Sequence, residues 1–379
     1  MNGARCEERY NGCMNKRVIL LIIDGFGIGE APDAANFGDC GSNTCQHVLL
    51  HNQHLHLPVM EKIGLLDRDP KNCLIEMNPN KDTLSGISEM FGSILPKMHT
   101  FSNEIPFSLV QQIESAIGTR TLFGKAGSGT VIMKEWGEEH LRTGYPILYT
   151  SQDSVLQVLA HEENITPNLL YYYCQVIREL VNPIYHIGRI IARPFLGDRP
   201  ETFFRTNRRK DFVYRLSNNP ILETLSEKKI KMVGNQIVQD IFGENLIAPL
   251  SGNGNKQIYD TLIKAFDSTC CQENSLFIAD LEDFDMLFGH RRDPVGYGKA
   301  LEELNLFLHH FLPLLKEDDL LIITADHGND PTFSKHTDHT REIVPLVVIR
   351  NQAVDDSYGH LEGFFHISSI ILSFFQLKE

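Results

Sequence analysis

Four short runs of uninterrupted apolar residues limit what this chain can fold into more than anything else in it. They are RVILLIID (17–24), SLFIADLEDFD (275–285), DLLIITAD (319–326) and EIVPLVVIR (342–350). A strand with one wet face alternates apolar and polar residues, whereas a continuous run belongs to a strand covered on both faces. Between the second and third runs lies GYGKALEELNLFLHHFLPLLKE (296–317), which is apolar at helical spacing. Strand, helix and strand in alternation predict an α/β fold with a mostly parallel sheet sandwiched by helices. HISSIILSFFQL (366–377) reads as a closing helix.

The middle of the chain follows another pattern. Strand-like pieces such as PILYTSQ and IYHIGRIIARPF mix with the helical patterns SLVQQIESAI and DSVLQVLAHEE. This predicts a second, α+β domain over 96–220, inserted into a core made of 1–95 and 221–379. A chain of 379 residues has room for both. The net charge of −14 argues against general nucleic-acid or anionic-membrane binding. No run reaches the length of a membrane span, and the polar N-terminus does not read as a secretory signal. The eight cysteines (6, 13, 40, 45, 73, 174, 270 and 271) are irregularly spaced and form no C-x-x-C. They read as reduced thiols of a cytoplasmic protein.

In an open α/β sheet ligands bind beyond the carboxyl ends of the strands. Asp24, Asp285 and Asp326 all fall at or just after such ends, far apart in sequence but expected to converge in space. His290 follows Asp285, His327 follows Asp326, and His339 lies in the same loop, TADHGNDPTFSKHTDHTRE. Carboxylate and imidazole ligands together suit Mn²⁺ or Zn²⁺ better than Mg²⁺. Six ligands exceed the need of one ion with open positions. Two divalent ions roughly 3.5–4 Å apart, as in phosphoryl-transfer sites, would use them. Capping and turn formation explain any one of these residues but not three strand-end clusters together.

PNKDTLSGISEMFG (79–92) offers a nucleophile. Thr83 sits in a polar turn before a helical pattern, where a developing anion would meet the helix N-terminus. Helix capping by Thr83 or Ser85 explains the same residues without chemistry. A hydroxyl there needs a base or a metal to become a nucleophile.

Taken together, VILLIIDGFGIGEAPDA, NKDTLSG, YTSQDSVLQVLAHEE, GRIIARPF, FDMLFGHRRDPVGYGKALEE and TADHGNDPTFSKHTDHTREIVPLVV resemble the phosphopentomutases of the alkaline phosphatase superfamily. The resemblance implies an alkaline-phosphatase-like core with an inserted cap domain. It implies phosphate transfer between the C1 and C5 oxygens of ribose or deoxyribose, on two Mn²⁺ ions and a phosphorylated threonine, with a sugar bisphosphate such as glucose 1,6-bisphosphate as activator. By motif, Thr83 would carry the phosphate and bridge the ions. Asp24, Asp326 and His327 would hold one ion, and Asp285, His290 and His339 the other. Ser151 and Asp153 would face the ribose hydroxyls. Arg189, Arg193, Arg199, Arg205, Arg208 and Arg209 crowd a short stretch of an acidic protein. Arg189, Arg193 and Arg208 are the candidates for the non-reacting phosphate; a solvated basic face is the plainer alternative. The expected partner is a small pentose phosphate.

Three places depart from the family pattern. Gly86-Ile87-Ser88-Glu89 stands where G-H-W-E is usual, Val233-Gly234-Asn235-Gln236 lacks the usual lysine, and the loop after Asp330 carries an extra stretch with Lys335 and His336. A metal-dependent phosphatase is therefore a second reading, and a non-catalytic metal- or sugar-phosphate-binding relative a third. The cluster His47, His51, His54 and His56 reads as a polar helix end. SGNGNK (251–256) lacks the spacing of a phosphate loop and reads as a turn.

Overall fold

The apolar runs assemble into one seven-stranded sheet. The computed structural model describes residues 15–67, 70–101, 103–150, 154–214, 219–252, 254–267 and 273–377. The sheet runs in the order Ala248–Pro249, Lys231–Gly234, Ser275–Asp280, Arg17–Ile22, Asp319–Thr324, Val347–Arg350, Ala353–Val354. The first five strands are parallel to their neighbours and the last two antiparallel. Arg17–Ile22 lies at the centre, and it and Asp319–Thr324 are buried throughout. Arg17 fixes the start of this pair. Its buried guanidinium donates to both carboxylate oxygens of Asp319, at 2.6 and 2.5 Å, and covers the Phe266 ring. A bidentate pair of this kind specifies register by geometry as much as by charge.

Helices Asn255–Asp267 and Pro294–Phe311 cover the sheet through aromatic contacts. Tyr259 stacks on Phe307 at 4.5 Å, and Phe266 meets Phe277 of the sheet and Phe311 edge-on. The expected helix over 296–317 begins at Pro294, capped by Asp293, and ends at Phe311. SGNGNK precedes the helix Asn255–Asp267.

Two stretches differ from their expectation: DSVLQVLAHEE, read as helical, holds the strand Val155–His161, whose residues are all buried, and one of the apolar runs divides. EIVPLVVIR reads as a single strand, but it divides at Leu346. Val344–Pro345 pairs with Cys73–Ile75 in a separate three-stranded sheet, and only Val347–Arg350 joins the main one. Pro345 has no N–H to donate to a ladder, which favours a break there. The run is also antiparallel to its neighbour, which burial alone cannot reveal.

The chain forms two compact units, 1–76 with 220–238 and 245–379, and 77–219 with 239–244. The sequence reading put the first boundary at 95/96; the contacts put it at 76/77. The reason is local. Glu89 accepts from the N–H groups of Met77 and Asn78, and Asn80 bonds Pro96 O and Met98 N, so 77–98 folds as one piece. The second unit has a mixed six-stranded sheet, including Ile147–Thr150, Val155–His161 and Arg189–Leu196. One core gathers helices Phe107–Ile117 and Pro167–Tyr185, and another gathers Ile132 and Met133 of helix Gly129–Thr143 with Phe195 and Phe203.

No helix among the described residues is long and apolar enough to cross a membrane. Cys40, Cys45 and Cys174 are free thiols; Cys73 is buried in the strand Cys73–Ile75. The other four cysteines lie outside the described residues.

Candidate metal centre

The three central parallel strands end level with one another. Ile22 is in register with Asp280 on one side and Thr324 on the other. Asp24 and Asp326 each follow two residues later, and both are buried. Gly25 occupies a left-handed turn (φ 75°), and its N–H reaches Asp326 Oδ1 at 3.1 Å. His327 also donates its N–H to that oxygen, at 3.1 Å. The other oxygen, Asp326 Oδ2, lies 3.2 Å from His327 Nε2, and Asp24 Oδ1 lies 3.5 Å from it.

Asp285 arrives by another route. The chain after Ser275–Asp280 makes one π-helical turn, in which His290 N–H bonds Asp285 O at 2.9 Å. Such turns displace the backbone register by a residue and recur at functional sites. The turn brings His290 Nε2 to 3.2 Å from Asp285 Oδ2. His339 Nε2 approaches Asp285 Oδ1 at 3.5 Å. His339 also faces His327, with ring centroids 4.0 Å apart.

The result is two triads, Asp24–Asp326–His327 and Asp285–His327–His339, each with ligand atoms within 4.8 Å of one another. His327 belongs to both, and His290 flanks the second. Of the seven residues named from the sequence as metal-binding, all but Thr83 come together here. The grouping differs from the expected one: His327 lies within reach of both groups, and His290 flanks the second instead of lying within it.

The donor chemistry fits divalent cations. Asp24 Oδ1 and Asp326 Oδ2 are buried acceptors without a hydrogen-bond partner among the described residues. The Nδ1 atoms of His327 and His290 face the carbonyl oxygens of Gly328 (3.2 Å) and Thr337 (3.0 Å). With the ring proton on Nδ1, each Nε2 could ligate a cation, a common arrangement behind metal-bound histidines.

Electrostatics point the same way. Burial, with Asp326 and then other acids nearby, raises Asp24 well above the usual carboxylate range. Burial pushes Asp326 up to about 7. Burial also pushes on Asp285, but His339 and His290 outweigh it and hold that carboxyl well below its usual value. Burial, then His339, keeps His327 neutral. Divalent cation binding must displace protons from Asp24 and Asp326 but none from His327. The affinity of the metal-stripped protein for Mn²⁺ is thus expected to rise between pH 6 and 8, with proton release. Each displaced proton steepens it by up to about tenfold per pH unit below the group's pKa. Calorimetry in buffers of different ionisation enthalpy checks this; a flat profile would show that both carboxyls are already ionised.

The profile of the Metalloenzyme superfamily matches residues 16–379. A phosphopentomutase of Carboxydothermus hydrogenoformans is 40% identical over 379 residues, covering 96% of each chain. Another, from Caldanaerobacter subterraneus subsp. tengcongensis, is 41% identical and covers 88% of each. The chain belongs to the phosphopentomutase family. It is therefore an enzyme of the isomerase class, on a core of the alkaline-phosphatase-like metalloenzymes, for which the superfamily implies divalent metal ions. A solved phosphoglycerate mutase of Leishmania mexicana aligns with a TM-score of 0.46 at 12% identity, covering 98% of this chain and 97% of that one.

The remaining site residues named from the sequence lie in the second unit. Thr83 is the first residue of helix Thr83–Met90, capped by Asp82, whose carboxylate accepts from Ser85 N–H. Ser151 and Asp153 lie outside the described residues. The arginines separate by partner. Arg208 pairs with Glu162 at 2.8 Å, Arg209 forks onto Asp211, Arg189 is 4.0 Å from Asp211, and Arg199 is 3.9 Å from Glu201. Arg193 bonds a neutral acceptor, Gln157 Oε1 at 3.0 Å, and Arg205 reaches Tyr149 OH at 3.2 Å. Burial, then Arg209 and Arg205, lowers Arg193 to about 10.

The departures from the family pattern now have structural accounts. Ile87 is fully buried and Ser88 nearly so, which makes them packing residues of their unit. Asn235 bonds the backbone of Asp280 and the carboxylate of Glu282. Lys335 reaches the carbonyl of Cys40, and His336 bonds Asp39 at 2.6 Å, so the extra stretch is a tether.

Sequence reasoning missed several supporting residues. Asn329 donates to Asp285 Oδ1 at 2.5 Å. Arg292 bonds Asn329 Oδ1 and the carbonyls of Asp330 and His336, gathering the loop that carries His339. His47, read as part of a polar helix end, meets Asp330 Oδ2 at 2.5 Å, while Asp338 is largely exposed. Glu342 accepts from Thr44 and Thr340, and a Cβ on Gly27 or Gly328 would collide with it. Asn329 sits inside the ADHGND motif, but nothing in the sequence marks Arg292 or Glu342.

Proposed function

We propose that this enzyme interconverts the 1-phosphate and 5-phosphate of ribose or deoxyribose through a phosphate carried on Thr83. It would work with two divalent ions, Mn²⁺ by the donor set, and with a sugar bisphosphate such as glucose 1,6-bisphosphate as activator. The observation that carries the reading is the pair of triads sharing His327, in a chain about 40% identical to phosphopentomutases over nearly its whole length. When bound, the ions neutralise phosphoryl oxygens and lower the barrier to in-line transfer.

The chain's own residues would act as follows. Phospho-Thr83 gives its phosphoryl group to the free hydroxyl of the pentose phosphate. The P–O bond to Thr83 breaks, a P–O bond to the sugar forms, and the sugar hydroxyl proton passes, in net terms, to the Thr83 oxygen that the phosphoryl group has left. The resulting bisphosphate turns round, and its other phosphate passes to the Thr83 oxygen. A phosphate on Thr83 would lie at the N-terminus of helix Thr83–Met90, a position that favours an anion. Arg193 and Arg205, which bond Gln157 Oε1 and Tyr149 OH, would hold the phosphate that does not react.

A product assay tests this reading. Ribose 1-phosphate with Mn²⁺ and glucose 1,6-bisphosphate is expected to yield ribose 5-phosphate. Release of inorganic phosphate would make the enzyme a phosphatase. Binding of metal without turnover would make it a non-catalytic relative.

A further inference from the structure

Residues 329–339, which bring His339 to the metal centre, form neither helix nor strand. A two-way backbone bridge between Gly328 and Thr340, at 3.1 and 2.7 Å, closes this loop, and Asn329 N–H bonds Gly25 O at 2.8 Å. Between those ends, the loop carbonyls meet side chains from one short segment that follows the π-helical turn. Arg292 Nη1 donates to Asp330 O at 2.7 Å, and Arg292 Nη2 donates to His336 O at 2.6 Å and Asp338 O at 3.4 Å. His290 Nδ1 faces Thr337 O at 3.0 Å. One guanidinium thus spans the loop from Asp330 to Asp338, the residue before His339. It supplies partners to carbonyls that no helix or sheet ladder satisfies.

Arg292 also reaches towards Asp285. Its Nη1 donates to Asn329 Oδ1 at 3.1 Å and to Gly289 O at 3.4 Å. Asn329 in turn gives an amide N–H to Asp285 Oδ1 at 2.5 Å. The fit there is close: a Cβ on Gly289 would come within 2.7 Å of the Asn329 amide. Every acceptor of Arg292 named here is a carbonyl oxygen. The guanidinium therefore works as a rigid fork that fixes geometry rather than as the counter-charge of an acid. The backbone is bent to deliver it. Arg292 has φ 55°, a left-handed conformation in which a Cβ is disfavoured and glycine is usual. Such a conformation persists where the surrounding contacts over-determine it.

We propose that Arg292 is a positioning residue for the cation group built around Asp285 and His339, which His290 flanks, and not for the group of Asp24 and Asp326. The inference rests on the two-cation reading of the centre. Arg292 acts on each member of its group through one intermediate. Asp285 is reached through Asn329, and His339 through the carbonyl of its neighbour Asp338. His290 is reached through the loop whose Thr337 carbonyl orients its ring. Asp326 is held instead by the N–H groups of Gly25 and His327, which Arg292 does not touch. Residues that orient ligands in this way tune a metal site nearly as strongly as the ligands themselves.

The test is calorimetric Mn²⁺ titration of the metal-stripped full chain near neutral pH, with circular dichroism to verify folding. Arg292→Gly removes the fork and suits the left-handed backbone. It is placed in two backgrounds: Asp24→Asn, which leaves the Asp285 group to bind, and His290→Ala, which leaves the Asp24 group. Affinity is expected to fall about 10–100-fold in the first background, the range for residues that support a metal site, and to stay the same in the second. A merely structural role would lower both alike. That result, or unchanged affinity in both, would overturn the proposal. If Asp24→Asn alone takes up no Mn²⁺, the two-cation reading fails first and the proposal falls with it. Should Arg292→Gly not fold, Arg292→Lys, which keeps the charge but not the fork, is read in the same two backgrounds against the same outcomes.

Discussion

Thr83→Ala is expected to lower turnover by roughly 10³-fold or more, as removal of a nucleophile does in other covalent mechanisms, while Mn²⁺ content stays close to that of wild type. The structure makes this a clean experiment. The cap of helix Thr83–Met90 is Asp82, which accepts from Ser85 N–H and Oγ at 3.1 and 3.3 Å. Alanine is an excellent residue for the first helical position, so the substitution should change stability by less than about 1 kcal/mol. Asp82→Ala is the contrasting case: it removes the cap, costs about 1 kcal/mol, and leaves the hydroxyl in place. Turnover by mass-balanced sugar phosphate assay, with melting temperature measured alongside, separates the two. Activity retained in Thr83→Ala would sink the phosphate-carrier assignment.

What could be read from the sequence follows from how directly each feature is encoded. The continuous apolar runs mark buried strands because burial on both faces leaves no polar positions. Parallel and antiparallel partners bury the same residues, so the reversal of Val347–Arg350 and the split at Leu346 were not legible. The candidate metal centre was legible in part: strand ends in an α/β sheet converge, which brings Asp24 and Asp326 together, while Asp285 arrives through the turn after its strand. His327 as the shared member was not, since the division depends on side-chain directions that spacing does not fix. The supporting polar residues follow the same rule. Asn329 could be suspected from its place in ADHGND, whereas Arg292 and Glu342 work through long-range contacts with backbone and loop groups that leave no local pattern. The arginine run shows the opposite failure. Its composition suggests one phosphate-binding patch, yet Arg208 and Arg209 are neutralised by Glu162 and Asp211, acids brought in from elsewhere in the fold or two residues away.

His327→Ala should cost the enzyme the cation proposed for Asp24 and Asp326, because with Nδ1 on the Gly328 carbonyl this imidazole has one lone pair, at Nε2, to give. Losing a direct ligand is expected to exceed the roughly 10–100-fold affinity loss typical of a supporting residue. Asp24→Asn and His290→Ala provide the comparison: Asp24 belongs to the same group as His327, and His290 to the other through Asp285. Metal analysis after gel filtration should then show one ion retained in each of the three variants, and neither in the double variant of His327→Ala with His290→Ala. Stability adds a check with opposite signs. Without metal, Asp24 is a buried acid whose carboxyl burial and neighbouring acids raise, so its ionised form opposes folding as pH rises. Asp24→Asn should therefore melt higher than wild type in the metal-free state at pH 8 and lower in saturating Mn²⁺. His327→Ala instead leaves a cavity in a fully buried site and should melt lower in the metal-free state as well. Loss of both ions from His327→Ala would mean that the second group also depends on this imidazole, and that His339 with Asp285 and His290 does not suffice for it.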